Sequence, residues 1–205
     1  MLGKGVASVD NSESYQANVN GHCWEFNLDL LGNAAVFGDK SVLRYLRERE
    51  AAMAERLGPT RARMVGSMAS VTVFPNFSFL PGQNTFRVWQ PRGPQKIELQ
   101  TWILVNKNAP QEIKDAYRKG VMMTFAPAGV FEMDDGENWE YATRANDGTV
   151  TRRQRLYYGL GLGTAIEHPE FPGNVYRGQV NDANQRAFLG RWAELMQARS
   201  WDEVK

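Results

Sequence analysis

The segment GVFEMDDGENW, Gly129 to Trp139, sets two aspartates side by side with aromatic residues before and after. A carboxylate against bulky apolar surface costs free energy unless something compensates it, and a bound cation is a common compensator. On a helix Phe131 and Asp135 stand i, i+4 and share a face, but Phe131 and Asp134 stand i, i+3 and share one too. Successive side chains on a helix diverge by about 100°, so both aspartates do not readily point at one ion. Most acidic clusters are solvated, and the pattern alone favours that outcome for EMDDGE.

The other residue types that could do chemistry are few. Histidine is the usual partner of such a carboxylate in non-haem iron or zinc sites. The chain has two, His22 in GHCWEF and His168 in EHPEFPG. They are far apart in sequence, neither is spaced one helical turn from another ligand, and a lone histidine is more often structural. Cys23 as a nucleophile needs a base and an orienting group that no spacing supplies. GLGLG (159–163) is half of a dinucleotide fingerprint, without the third glycine or the downstream acid, and is expected to be a loop.

The elements that must position these residues follow from periodicity. Lys40 to about Leu57 is expected to be a helix, with Leu43, Leu46, Met53 and Leu57 near one face, Asp39 or Ser41 as its cap, and Gly58-Pro59 as its end. VTVF (71–74), NFSFL (76–80), TFRVWQ (85–90) and KIELQTWILV (96–105) alternate as strands, separated by Pro75 and by the turns PGQN and PRGPQ. Together they form an antiparallel meander with at least one buried face. Asn108 is expected to cap a helix with Pro110 in its first turn and Gly120 as its stop. Further helices are expected over about Gly129–Thr143 and Asp182–Arg199, the latter with Phe188, Leu189, Trp192, Leu195 and Met196 as its stripe. TVTRRQRLYYG (149–159) alternates like a strand, and residues 1–20 are expected to be poorly ordered. The fold class is α+β, an antiparallel β-sheet covered by helices.

Bulk properties exclude several classes. With 205 residues, 42% hydrophobic and 23% charged, the chain is one ordinary globular domain, able to bury roughly 70% of its unfolded surface. A net charge of +1 gives no reason to expect nucleic acid or an acidic membrane as partner. One cysteine allows no internal disulfide, and no apolar leader segment opens the chain, so a cytoplasmic setting is expected. The uncharged run Met64–Phe86 holds too many Pro, Asn and Gln residues to cross a membrane (the arginine follows at 87).

Three stretches carry a resemblance. TVFPNFSFLPGQNTFRVWQPRGPQKIEL (72–99), FAPAGVFEMDDGENW (125–139) and the ending EFPG…SWDEVK resemble, in this order, the large (alpha) subunit of Rieske non-haem iron aromatic ring-hydroxylating dioxygenases. The resemblance implies a helix-grip-like catalytic domain that cis-dihydroxylates an aromatic, in some members polycyclic, hydrocarbon with dioxygen. It implies a mononuclear Fe(II) held by two histidines and one aspartate, the facial triad with open positions for oxygen. The aspartate matches Asp135, with Asp134 its neighbour. The family's substrate-pocket positions fall on Met68, Ser70, Leu80, Gln83, Phe125 and Phe131, apolar and aromatic walls suited to a hydrocarbon.

The resemblance also implies partners: a ferredoxin and a reductase that draws on NADH, and trimers of alpha subunits with beta subunits. Two departures accompany it. The Rieske domain, whose Cys-x-His and Cys-x-x-His pairs hold a 2Fe-2S cluster, is absent, and so is the family's His-x4-His segment. The expectation is therefore a partial catalytic domain over 21–205, a fragment incomplete at its N-terminus and inactive by itself. The competing expectation is a non-catalytic module binding apolar ligands or partner subunits without metal.

Overall fold

The computed structural model of the protein describes residues 13–31 and 40–204. Seven strands form one sheet: β1 (Ser14–Val19), β2 (His22–Leu31), β3 (Ser67–Val73), β4 (Phe77–Leu80), β5 (Thr85–Pro91), β6 (Ile97–Ile103) and β7 (Asn174–Arg177). Their order is β6-β5-β4-β3-β2-β1-β7, and every neighbouring pair is antiparallel. Among the described residues six helices accompany them: α1 (Lys40–Arg47), α2 (Glu50–Leu57), α3 (Pro59–Met64), α4 (Gln111–Thr124), α5 (Val130–Asn146) and α6 (Ala183–Gln197). The meander expected from alternation is β3 to β6, so the expected α+β class holds. No helix among the described residues is long and apolar enough to cross a membrane.

Alternation sorts the strands into two faces. One face carries Tyr15, Ala17 and Phe26, buried with Leu28, Val175 and Phe171 as an aromatic core. Phe26 is 0% exposed, with its ring 5.5 Å from Tyr15 and 4.7 Å from Phe171. The other face is polar where β1 and β2 meet α6. Gln16 donates to the Gln179 and Asn181 carbonyls at 2.6 and 3.2 Å, and Asn184 of α6 donates to the Trp24 carbonyl at 3.1 Å. The buried amides of Gln16, Asn18 and Asn27 on this face therefore have partners. A second core joins α1 to α4 through Val42, Tyr45, Leu46, Ile113 and Tyr117.

Several expectations are corrected. The stretch expected to be poorly ordered includes β1, which lies inside the sheet between β2 and β7; residues 1–12 lie outside the described residues. The helix expected over 40–57 is two helices, broken at Glu48–Arg49. Ser41 lies within α1, and the alternative cap, Asp39, lies outside the described residues. Gly58 does end α2, in a left-handed conformation with φ 82°, but Pro59 then starts α3, because its fixed φ and missing N–H suit a first helical position. Pro110, not Asn108, caps α4, and the helix runs through buried Gly120 to Thr124, whose hydroxyl donates to the Gly120 carbonyl. Residues 149–159 form no strand. Their backbone is tied to α6 instead, with Arg186 donating to the Tyr158 and Leu160 carbonyls at 2.6 and 3.0 Å. The stripe expected on α6 is only partly covered: Leu189, Trp192 and Met196 stay exposed. GLGLG is a loop, as expected.

Candidate active-site face

The motif from Gly129 to Trp139 opens α5. Gly129 is its N-cap and is buried against the end of α4, where a Cβ would collide with the Thr124 carbonyl. That contact lets the chain turn sharply from α4 into α5 and brings Phe125 and Phe131 to 5.5 Å between ring centroids. Asp134 is exposed and Asp135 half-buried, so the helix itself distinguishes two aspartates that periodicity left equivalent.

The sheet face that α5 meets is defined by register. Ser70 pairs with Glu25, Thr72 with Ser78, Leu80 with Thr85, and Ser78 with Arg87, so Met68, Ser70, Leu80, Thr85, Arg87 and Trp89 share one face. Trp89 meets Trp139 of α5 edge-to-face at 5.1 Å. Arg87 donates to Glu132 at 2.6 Å, with side chains 6% and 9% exposed. Burial pushes the Arg87 guanidinium below its ordinary range, offset in part by the charges of Glu132 and Asp135. Burial likewise pushes the Glu132 carboxyl up, offset by Arg87. Gln83 is buried in the β4–β5 turn.

The structure thus groups Phe125, Phe131 and Asp135 on one side and sets Met68, Ser70 and Leu80 on the opposing strand face. Arg87 and Glu132 escaped the sequence reading. Their signal was an arginine on the inward parity of TFRVWQ and a glutamate one turn before Asp135. Two apolar cavities flank this region. One, of about 590 Å³, lies on the same face, lined by Cys23, Trp89 and Phe188 among others. The other, of about 570 Å³, is lined by Trp24, Val71 and Phe79, on the opposite face.

Metal ligands are sparse. Among the described residues no three His, Cys, Asp or Glu side chains gather into a set that could hold an ion. His22 Nδ1 accepts from the Phe74 N–H at 3.1 Å, and His168 Nδ1 accepts from the Glu170 N–H at 3.2 Å while its ring stacks on Phe171. Both nitrogens are engaged in these local contacts, and neither histidine joins Asp135 in a three-ligand set among the described residues. One carboxylate does not make a mononuclear iron site, so the described residues do not by themselves fit that group.

Cys23 is no nucleophile. Its buried thiol donates to the Gly21 and Asn184 carbonyls, and burial pushes its pKa up to about 11. The folded thiol ionises less readily than the unfolded one, whose ordinary value is 9.0. The protonated thiol's contribution is therefore complete below pH 9 and is lost as pH rises through about 11, amounting to roughly 2–3 kcal/mol. Denaturant titrations of the protein and of Cys23→Ala between pH 8 and 11 should show the parent losing that much more stability. Equal slopes would remove the buried-thiol account.

Comparisons with known proteins decide the family. The sequence model described as "Ring hydroxylating alpha subunit (catalytic domain)" matches residues 10–198. The chain belongs to the ring-hydroxylating alpha-subunit family. It is 42% identical over 197 residues to the biphenyl dioxygenase subunit alpha of Metapseudomonas furukawaii, covering 93% of this chain and 42% of that protein. It is 34% identical to the benzene 1,2-dioxygenase subunit alpha of Pseudomonas putida, covering 94% and 44%. A naphthalene 1,2-dioxygenase structure with indole bound shares the fold at a TM-score of 0.85 and 24% identity, over 98% of this chain and 45% of that one. The chain thus spans less than half the length of the curated relatives it matches.

Proposed function

We propose that this chain forms the substrate-facing part of the catalytic domain of an aromatic ring-hydroxylating dioxygenase alpha subunit. The observation that carries the reading is the juxtaposition of a half-buried carboxylate, Asp135, with the paired rings of Phe125 and Phe131 across from an inward strand face. A hydrocarbon offers nothing to hydrogen-bond, so apolar walls supply affinity and shape supplies orientation. Met68, Ser70, Leu80, Gln83, Phe125 and Phe131 line that pocket, and Phe131 stands one turn before Asp135 on α5.

The family's mononuclear iron supplies dioxygen activation when bound. Asp135 would be its carboxylate ligand, and because the chain's two histidines, His22 and His168, are engaged elsewhere, its two histidine ligands would have to be supplied from elsewhere. In the family, NADH, a reductase, a ferredoxin and a 2Fe-2S cluster would supply the electrons. The metal-free binding module is the weaker reading, because the curated relatives quoted above are catalytic dioxygenase subunits. The test is a graft: residues 10–198 replace the matching stretch of the Metapseudomonas furukawaii subunit, which is assayed with its own partner proteins on biphenyl and naphthalene. Dihydrodiol formation by the folded graft is expected. A folded graft that binds both hydrocarbons but oxidises neither would return the metal-free reading.

A further inference from the structure

Among the 17 residues of α5, Glu132 is the one that is buried. A helix is ordinarily held to a sheet by an apolar stripe. In α5, Val130, Phe131 and Met133 remain 56%, 42% and 60% exposed. The hold comes from the 2.6 Å ion pair to Arg87, supplemented by the Trp89–Trp139 contact.

Stability is a poor reason for such a pair. Each buried ion loses several kcal/mol of solvation, and apolar residues of similar volume are often equally stable or more so. The pair is also incompletely satisfied, since Arg87 Nε and Glu132 Oε1 are buried without hydrogen-bond partners. A purely structural tie would be expected to pair these atoms. What the pair does accomplish is geometric. One planar guanidinium bonds α5, sits 5.3 Å from the centroid of the Phe125 ring, and interacts with Asp135 one turn beyond Glu132.

We propose that Arg87 and Glu132 are positioning residues of the aromatic site. They set the height of α5 on the sheet, so that the Asp135 carboxylate and the Phe131 ring face the strand wall in one fixed relation. This rests on reading the face as the aromatic site.

The test uses the 205-residue chain with Arg87→Met, Glu132→Met and the double variant. Arg87→Met alone strands a buried carboxylate and is expected to lower the melting midpoint by roughly 10 °C. The double variant is expected to recover the parent midpoint to within a few degrees. Placement, however, is not recovered. Crystal structures should show the Asp135 carboxylate displaced by about 1 Å or more, and naphthalene affinity, read by tryptophan fluorescence, should fall about tenfold or more, as small misplacements in such sites do. A double variant with Asp135 and naphthalene affinity unchanged would reduce the pair to a structural tie and overturn the proposal. If the double variant does not fold, Arg87→Lys, which keeps the charge and loses the fork, is judged by the same readouts. A parent that binds no naphthalene defeats the aromatic-site reading, while the position of Asp135 still decides the role of the pair.

Discussion

In the grafted alpha subunit, Asp135→Asn is expected to lower product formation by well over 100-fold, while Asp134→Asn stays within about threefold of the parent. Residues that merely hydrogen-bond a metal ligand cost about 10–100-fold when lost, so loss of the ligand itself must cost more. The contrast between neighbours gives the prediction its force. Both substitutions remove one charge from the same turn of α5, but Asp134 faces solvent and Asp135 faces the Arg87–Glu132 pair. Steady-state assays of the two variants, with folding checked by circular dichroism, decide it. Equal losses would make the acidic turn a generic electrostatic feature and withdraw the ligand role from Asp135.

The largest effect on stability is expected at Phe26, on the other side of the sheet. Phe26→Ala removes a fully buried ring that touches Tyr15 and Phe171. The lost burial plus the cavity left behind should cost about 3–5 kcal/mol. Phe26→Leu, which keeps most of the volume, should cost about 1–2 kcal/mol. Urea unfolding followed by fluorescence measures both. A loss below 1 kcal/mol for Phe26→Ala would mean that β1, β2 and the Phe171 segment do not share one core. Because this core lies on the face away from Asp135, Phe26→Leu should leave naphthalene binding unchanged.

The parts of the fold that were legible in the sequence are those where alternation and burial agree. TFRVWQ and KIELQTWILV present a clear period of two, and β5 and β6 form where that period predicts. The same rule misled at TVTRRQRLYYG, where basic residues alternate with others but no partner strand is reached, and Arg186 holds the segment to α6 instead. It missed β1, whose side chains away from the aromatic core are Ser14, Gln16 and Asn18. Those residues look like loop composition, yet they are buried because α6 and the preceding turn supply hydrogen-bond partners that cannot be seen in one dimension. Helix boundaries erred at Gly120 for a similar reason: a glycine stops a helix only when the chain must leave it there, and packing against neighbouring residues carries α4 four residues further.

The candidate site was half legible. Aromatic residues flanking two aspartates marked the turn of chain that the structure sets against β5, and the resemblance favoured Asp135 over Asp134. The charge pair beneath it was not legible, because an isolated arginine and glutamate ordinarily signal exposed positions. Their burial depends on β5 lying directly under α5, a contact between residues 45 apart in sequence.

The central claim is that the sheet face under α5, not the aromatic face opposite, receives the ring. A crystal structure of the 205-residue chain soaked with naphthalene tests it most directly. The ligand is expected between the Phe125–Phe131 rings and the Ser70–Leu80 wall, within reach of Asp135. Naphthalene lodged only in the cavity lined by Trp24, Val71 and Phe79 would contradict the account.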